Sequence, residues 1–174
     1  MADSPVRNSP LPAASFTAAG VTIAAAPHRA RWSLRARDRA VLEGVIDRKL
    51  PAKIGETHDG AVCLGPDEWL LRAPEGTALA DGSGAAVAIV DLAERALTIT
   101  LSGASAHRVI AAGCPRDVAR LPVGFAGRTV FEGVEVLLER TGEDDFTLDV
   151  WRSFAPWLWT ALTQAAADLE HIAA

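Results

Sequence analysis

Apolar and polar positions alternate along the chain in short runs that predict its first elements. Residues 31–37 (RWSLRAR) alternate strictly, which is typical of a half-buried strand. Asp38 then precedes apolar residues at helical spacing that continue until Pro51, so we expect an N-capped helix. Next, residues 61–64 (AVCL) and 68–72 (EWLLR) flank the turn Gly-Pro-Asp, which predicts a hairpin.

The second part of the chain predicts the same order of elements. An alternating strand around Ile99 is followed by a helix that Ser102 caps and Gly113 ends, and then by strands at 127–132, 134–139 and 146–151 and a closing helix at 154–170. In both halves an aromatic residue begins the return strand of a hairpin after an acidic, glycine-containing turn (LGPDEWLL and RTGEDDFTL). The strand–helix–strand–strand order, occurring twice, predicts an α+β fold of two ferredoxin-like halves with antiparallel sheets covered by helices.

The domain organisation follows from this repeat. Residues 1–18 begin with a stretch containing three prolines and few core-forming side chains, which predicts a flexible N-terminal tail that is disordered or lies along another surface. A strand is expected within 16–26. Residues 19–174 then form a single α+β domain, with pseudo-repeat halves at about 28–86 and 87–174.

Composition narrows the class of protein. The chain has 174 residues, 49% hydrophobic, and a net charge of −5 without a basic cluster, which fits one soluble domain and argues against nucleic acid as a partner. No run reaches the length of a transmembrane helix, so no membrane association is expected. Cys63 and Cys114 belong to no metal or redox motif and are interpreted as buried, reduced thiols of a cytoplasmic protein.

Signatures of catalysis are missing from the sequence. The chain has no G-x-S-x-G, H-E-x-x-H or P-loop motif, its four histidines lack metal-ligand spacing, and the acidic run 143–145 is typical of a solvated turn. Asp117 follows the end of a predicted helix, where a loop could direct it toward a ligand, although a turn-capping role is favoured. We therefore assign no catalytic residue and no metal ligand.

Aromatic residues near the C-terminus are the strongest sign of an interaction. With Ser153 as N-cap, the last helix has an apolar stripe of Phe154, Leu158, Ala161, Leu162, Ala165 and Leu169. This stripe leaves Trp157 about 80° from its centre and Trp159 about 120° away on the other side. Trp151 faces away from the apolar side of its strand. Trp151 and Trp159, with Arg152 nearby and Trp157 at the edge of the core, are the candidate interface residues, unless the N-terminal tail or a loop covers both rings.

Three segments together resemble the gamma subunit of heterotetrameric sarcosine oxidase. They are residues 64–71 (LGPDEWLL), 91–118 (with GCPRDV at its end) and 128–162 (with RSFAPWLW near its end). The second half is also similar, more distantly, to the folate-binding fold of the glycine cleavage T-protein. That second resemblance implies paired ferredoxin-like halves, in agreement with the repeat.

The resemblance implies a non-catalytic subunit that serves assembly and stability. It implies alpha, beta and delta subunits as partners in a flavin-dependent complex that converts sarcosine to glycine, hydrogen peroxide and formaldehyde or methylene-tetrahydrofolate. FAD, FMN, NAD, tetrahydrofolate and zinc would lie on or between those partners, with no cofactor on this chain. The alternative is a folate-binding or aminomethyl-transfer protein acting alone through Asp117, where Arg116 replaces the asparagine of the T-protein pattern.

Overall fold

The computed structural model describes residues 8–173, which form two antiparallel sheets and three helices. The strands are β1 (Phe16–Ala18), β2 (Val21–Ala25), β3 (Arg29–Ala36), β4 (Thr57–His58), β5 (Ala61–Gly65), β6 (Glu68–Pro74), β7 (Val87–Asp91), β8 (Ala96–Ser102), β9 (Ala126–Phe131), β10 (Val134–Arg140) and β11 (Asp145–Trp151). The helices are α1 (Arg39–Ile46), α2 (Ala106–Ala111) and α3 (Ala155–Ala173), and Val118–Arg120 form one 3-10 turn.

The strand order of the two sheets confirms the predicted α+β class and its repeat. One sheet runs β4-β5-β6-β3-β7 and the other runs β9-β10-β11-β8-β2-β1, with all pairs antiparallel. In each sheet the strand before the helix pairs with the last strand of the following hairpin, as β3 pairs with β6 and β8 with β11. The two predicted hairpins, β5–β6 and β10–β11, are both present.

A strand from each side of the predicted boundary at residues 86 and 87 pairs in the sheet of the other half. β2, which precedes the first half, pairs with β8, while β7, which the prediction placed in the second half, pairs with β3. Both donated strands cover the free side of the strand that leads into a helix. An exposed strand edge presents unpaired backbone groups, so the exchange satisfies one edge of each sheet.

The ordered fold begins before the predicted boundary at residue 19. Residues 1–7 lie outside the described residues, but Leu11 is only 6% exposed and packs in the core of the six-stranded sheet. β1 follows it and pairs with β2 through a reversal at Ala19 and Gly20, both in the left-handed region. Apolar side chains of this segment therefore pack in the core, which the proline-rich sequence around them did not indicate.

Three helix boundaries follow from the local conformation of the chain. The Asp38 carboxylate accepts from the amide of Ala40, which confirms the predicted N-cap. α1 ends at Ile46 rather than near Pro51, because Asp47 adopts a left-handed φ of 51°. Ser102 is the last residue of β8 and not a cap, since α2 begins only after Ser105.

Helices cover the outer faces of the two sheets, and the inner faces meet. Leu42 and Ile46 of α1 pack on the five-stranded sheet, whereas Leu158 and Leu162 of α3 pack with α2 on the six-stranded sheet. A small apolar cluster lies between the sheets and contains Val62, Leu70, Ala126 and Leu137. The protein is thus layered as helix, sheet, sheet and helices, with one core under each helical layer.

Beside this apolar cluster, four charged side chains connect the sheets through a buried ion cluster, which consists of Arg31, Arg72, Glu139 and Asp149. Asp149 lies 3.3 Å from the Arg31 guanidinium and 3.5 Å from that of Arg72, and it also accepts from the Thr98 hydroxyl. Arg72 donates in addition to Glu139. Two arginines and two carboxylates give a cluster with no net charge.

Burial and pairing act in opposite directions on the two arginines. Burial lowers the pKa of Arg31 despite the neighbouring Asp149. Burial also acts to lower the pKa of Arg72, but the carboxylates of Asp149 and Glu139 outweigh it, and that pKa is raised. Arginine keeps its proton at any pH at which proteins fold, so the two buried positive charges must be balanced by the carboxylates of the cluster.

A second ion pair joins the sheets nearer the surface. The Glu68 carboxylate at the start of β6 accepts two bonds from Arg128 of β9, at 3.1 and 2.5 Å, and lies 3.0 Å from Arg35. The hydrogen bonds from Arg128 hold the pKa of Glu68 below its ordinary value of 4.5, against the opposing effect of burial.

Replacing the central carboxylate should unfold the protein more easily. Asp149→Asn leaves two buried guanidinium groups facing one remaining carboxylate, and breaking a buried ion pair in this way costs about 3–5 kcal/mol. We expect that loss in the free energy of unfolding measured by urea denaturation. Asp144→Asn, at an exposed hairpin tip, is the matched control and should change little. Equal stability of the two variants would contradict a central role for the cluster.

The Glu68 pair should make part of the stability depend on pH. Because the folded pKa is lowered, its contribution is present above the unfolded pKa and is lost as pH falls through the folded pKa. Glu68→Gln should therefore be less stable than wild type at pH 7, and the difference should shrink to zero in acid. Urea denaturation from pH 7 to pH 3 measures it, with exposed Glu143→Gln as control. A difference that is constant with pH would refute this origin.

Candidate interaction surface

Trp151, the last residue of β11, is the first exposed aromatic of the C-terminal region. Its neighbours Phe146, Leu148 and Val150 are buried on the helical side, and Trp151 lies on the opposite face with 40% of its surface exposed, as predicted. The guanidinium of Arg95 lies over its ring at 5.6 Å from the centroid. Arg95 was not identified from sequence. The pairing of Trp151 with Ala96 in β8 brings it there.

The two tryptophans of α3 have exchanged the positions predicted for them. Trp159 packs against the core of the six-stranded sheet and is half-buried, while Trp157 is 40% exposed. The buried face of α3 is defined by Ala155, Leu158, Leu162 and Ala166. By the 100° step of a helix, Trp159 lies about 60° from the centre of that face and Trp157 about 140°.

The choice of stripe residues explains the error. The predicted stripe includes Phe154, which precedes α3 and is 46% exposed. Counting Phe154 and Ala161 while omitting the buried Ala155 and Ala166 displaced the predicted centre by about 60° toward Trp157. The large Trp159 ring, which buries far more apolar surface than an alanine, takes the place beside the core. The main role of Trp159 is therefore to pack on the core, and contact with a partner is secondary.

Trp151, Phe154 and Trp157 form what we call the aromatic surface. All three lie within seven residues at the start of α3, and each exposes at least 40% of its area. Trp157 also borders a groove of about 530 Å³ along α3 that reaches the exposed Ile172. Tryptophan and large aromatic side chains are enriched in the contact regions of protein complexes.

The side chain of Arg152 already contacts other residues of this chain. It donates to the carbonyl of Asn8 and lies 3.8 Å from Glu94. The N-terminal segment therefore reaches this region, and Pro10 lies beside Trp151 and Phe154. However, the described part of the N-terminal segment, which begins at residue 8, does not cover the rings of Trp151 and Phe154, and both remain exposed. Of the predicted interface residues, Trp151 and Trp157 lie on the aromatic surface, with Arg152 between them in sequence.

Asp117 lies elsewhere, at the exposed start of the 3-10 turn. Its carboxylate is 3.4 Å from the guanidinium of Arg120, and its carbonyl accepts from the Arg120 amide. The side chain makes no capping bond to the turn and borders none of the clefts described here. A turn residue with a surface ion pair accounts for this geometry.

The space between the sheets is small. A cleft beside the buried ion cluster, lined in part by Arg31, Leu70, Leu137 and Asp149, has a volume of about 90 Å³. That is room for about three water molecules, against at least about 300 Å³ for a pocket that holds a cofactor-sized ligand. Within the described part of the chain, no three histidine, cysteine or carboxylate side chains approach closely enough to hold a metal ion.

Two further predictions concern the cysteines and the membrane. Cys63 and Cys114 are both buried and unpaired by a disulfide, and burial raises the pKa of the Cys63 thiol. The helices of residues 8–173 include none that is long and apolar enough to cross a membrane.

Solved structures place this architecture in a class. The glycine cleavage system aminomethyltransferase T from Bartonella henselae superposes with a TM-score of 0.61 at 18% identity, over 84% of this chain and 46% of that one. This likeness defines the fold as that of the T-protein class. A heterotetrameric sarcosine oxidase from Corynebacterium sp. U-96, in complex with pyrrole 2-carboxylate, matches with a TM-score of 0.77 at 29% identity, over 86% of this chain and 85% of its own.

Sequence comparison gives the family. The sarcosine oxidase, gamma subunit family matches residues 45–168. The sarcosine oxidase subunit gamma of Arthrobacter sp. is 33% identical over 144 residues, which cover 74% of this chain and 71% of the relative. The subunit gamma of Corynebacterium sp. strain P-1 is 31% identical over 145 residues, with the same coverage. The chain belongs to the sarcosine oxidase gamma subunit family, as the sequence motifs predicted.

Replacing the half-buried Trp159 and the exposed Trp151 should lower the stability of the free chain by different amounts. Trp159→Ala removes a ring that packs on the core and should lower the free energy of unfolding by about 1–3 kcal/mol. Trp151→Ala removes an exposed ring and its contact with Arg95, and should cost less than about 1 kcal/mol. Urea denaturation of the isolated variants tests the difference. A larger loss for Trp151→Ala would contradict the exposure seen here.

Proposed function

We propose that this chain is the gamma subunit of a heterotetrameric sarcosine oxidase and that it serves assembly and stability rather than the chemical steps. The observation that carries the proposal is the family match over most of the chain, together with the likeness of its fold to a chain of a solved heterotetrameric sarcosine oxidase. The partners are then the alpha, beta and delta subunits of the complex.

The aromatic surface supports a role in assembly. Three large aromatic side chains remain exposed at the start of α3 although the adjoining helical face is fully packed. Such a cluster loses its contact with water when a partner covers it, and this contributes about 25 cal/mol per Å² of apolar surface buried. Trp151, Trp157 and Arg152 are the residues we place at a subunit contact, with Phe154 added.

The complex would oxidise sarcosine to glycine, with hydrogen peroxide and formaldehyde or methylene-tetrahydrofolate as the other products. FAD, FMN, NAD, tetrahydrofolate and zinc belong to the partner subunits in this proposal. Its support is the arrangement of this chain, in which side chains of both sheets line the cleft beside the ion cluster and leave about 90 Å³ there. A cytoplasmic location fits two buried, reduced thiols.

The alternative of a folate-binding or aminomethyl-transfer protein acting alone is not favoured. It depends on Asp117, whose carboxylate is exposed and paired with Arg120 at the surface. Calorimetric titration of the isolated chain with tetrahydrofolate distinguishes the two, because micromolar binding that Asp117→Asn abolishes would support the alternative.

Co-purification tests the proposed function. This chain, tagged and co-expressed with the other three subunits, should bring down a yellow complex that produces hydrogen peroxide from sarcosine. The double variant Trp151→Ala/Phe154→Ala should weaken retention of the partners by about tenfold or more, as truncation of an interface hot spot does.

Val41→Ala, an equally exposed apolar position on α1 of the other half, is the matched control. A tagged chain that purifies alone and colourless would refute the proposed function. A complex that forms equally well with the double variant would instead remove the aromatic surface from the contact and leave the subunit assignment intact.

A further inference from the structure

A groove of about 740 Å³ opens beside Trp151 on the same side of the protein as the aromatic surface. Two kinds of group line it. The apolar walls come from two aromatic residues and two prolines, and the positive charge comes from two guanidinium groups. The lining includes Pro10, Arg95, Trp151, Arg152, Phe154 and Pro156. Within residues 8–173, no carboxylate side chain belongs to this lining, although the chain as a whole carries a net charge of −5.

Arg95 is held in place by its neighbours. Its carbonyl accepts from the amide of Arg152 at 2.8 Å, and β8 begins at the next residue. Its guanidinium lies over the Trp151 ring, 5.6 Å from the centroid. The backbone bond and the ring contact fix the charge at the mouth of the groove, so the entropy lost on binding a partner is small.

The charge of Arg95 has no acidic counterpart within the described part of the chain. No carboxylate of residues 8–173 lies within 4.0 Å of its guanidinium. Arg152 differs, because Glu94 lies 3.8 Å away and the Asn8 carbonyl accepts one of its N–H groups. Within residues 8–173, the guanidinium of the groove that lacks an ion pair is therefore that of Arg95.

The position of Arg95 over the ring suits one chemical class of partner. A guanidinium attracted to the face of an indole still has N–H groups to donate. Those N–H groups match a carboxylate in two parallel bonds. Trp151 and Phe154 next to it offer apolar surface to a neighbouring side chain.

We infer that this groove binds a segment of a partner subunit in which a carboxylate stands next to an apolar side chain. The carboxylate pairs with Arg95 while the apolar side chain lies between Trp151 and Phe154. The inference rests on the proposed function, because it takes the partner from the same complex, and it adds the charge that the partner must bring.

Charge reversal in the co-expressed complex tests this inference. Arg95→Glu places a carboxylate where the partner's carboxylate binds, and should weaken retention of the other subunits at least about tenfold at low salt. Arg95→Gln should lie between wild type and Arg95→Glu. Wild-type retention should fall as salt is raised, and that fall should be smaller for Arg95→Gln. Arg37→Glu, an exposed residue of the other half, introduces the same change of charge and should assemble as wild type does.

Each other outcome has a defined meaning. If Arg95→Glu assembles like wild type while the unfolding midpoint of the free chain is unchanged, the groove is not the docking site, and the subunit assignment stands. If Arg95→Glu lowers that midpoint, Phe154→Ser removes the apolar half of the groove instead, and undiminished assembly would overturn the inference. Self-association of the isolated chain that Arg95→Glu abolishes would make a second copy the occupant, which also overturns it. Failure of the wild-type chain to bind any partner refutes the proposed function itself.

Discussion

The buried ion cluster of Arg31, Arg72, Glu139 and Asp149 is the interaction on which the arrangement of the two sheets depends. Each sheet has its own apolar core under its helices. Between the sheets the apolar cluster is small, and the charged groups must be matched. Hydrophobic contacts there tolerate sliding, whereas a buried charge left without its partner costs several kcal/mol. The cluster therefore fixes how one half sits on the other.

The internal repeat accounts for the position of this cluster. Trp69 and Phe146 begin the return strands of the two hairpins, and three residues further on stand Arg72 and Asp149. These two equivalent positions contact each other. The repeat has thus acquired opposite charges at matching places, and each half fits the other half better than a copy of itself. The exchange of β2 and β7 acts in the same direction, because each sheet is completed only by a strand from the other side.

Periodicity predicted the local elements well, because side chains that alternate or recur every three to four residues report which face is buried. It could not show the exchanged strands, since the pairing of β2 with β8 joins residues about 80 apart and leaves no local pattern. Asp149 was hidden for a related reason, because a charged residue opposite Leu148 and Val150 looks solvated until a second sheet covers it. Trp157 and Trp159 were exchanged because the predicted stripe counted Phe154, which precedes α3, and missed the buried Ala155 and Ala166.

These constraints bear on where the chain can interact. A two-sheet fold of this class could leave room for a ligand between its halves, but here arginines, carboxylates and leucines pack between the sheets, and the cleft beside the ion cluster holds about 90 Å³. The side chains that hold the halves together are thus the ones that close the interior. The exposed apolar area lies on the outside, where β11 ends and α3 begins. The packed face of α3 starts at Ala155, and Trp151, Phe154 and Trp157 do not belong to that face. A filled interior and an aromatic exterior are the division expected of a chain that contributes a surface to a larger assembly.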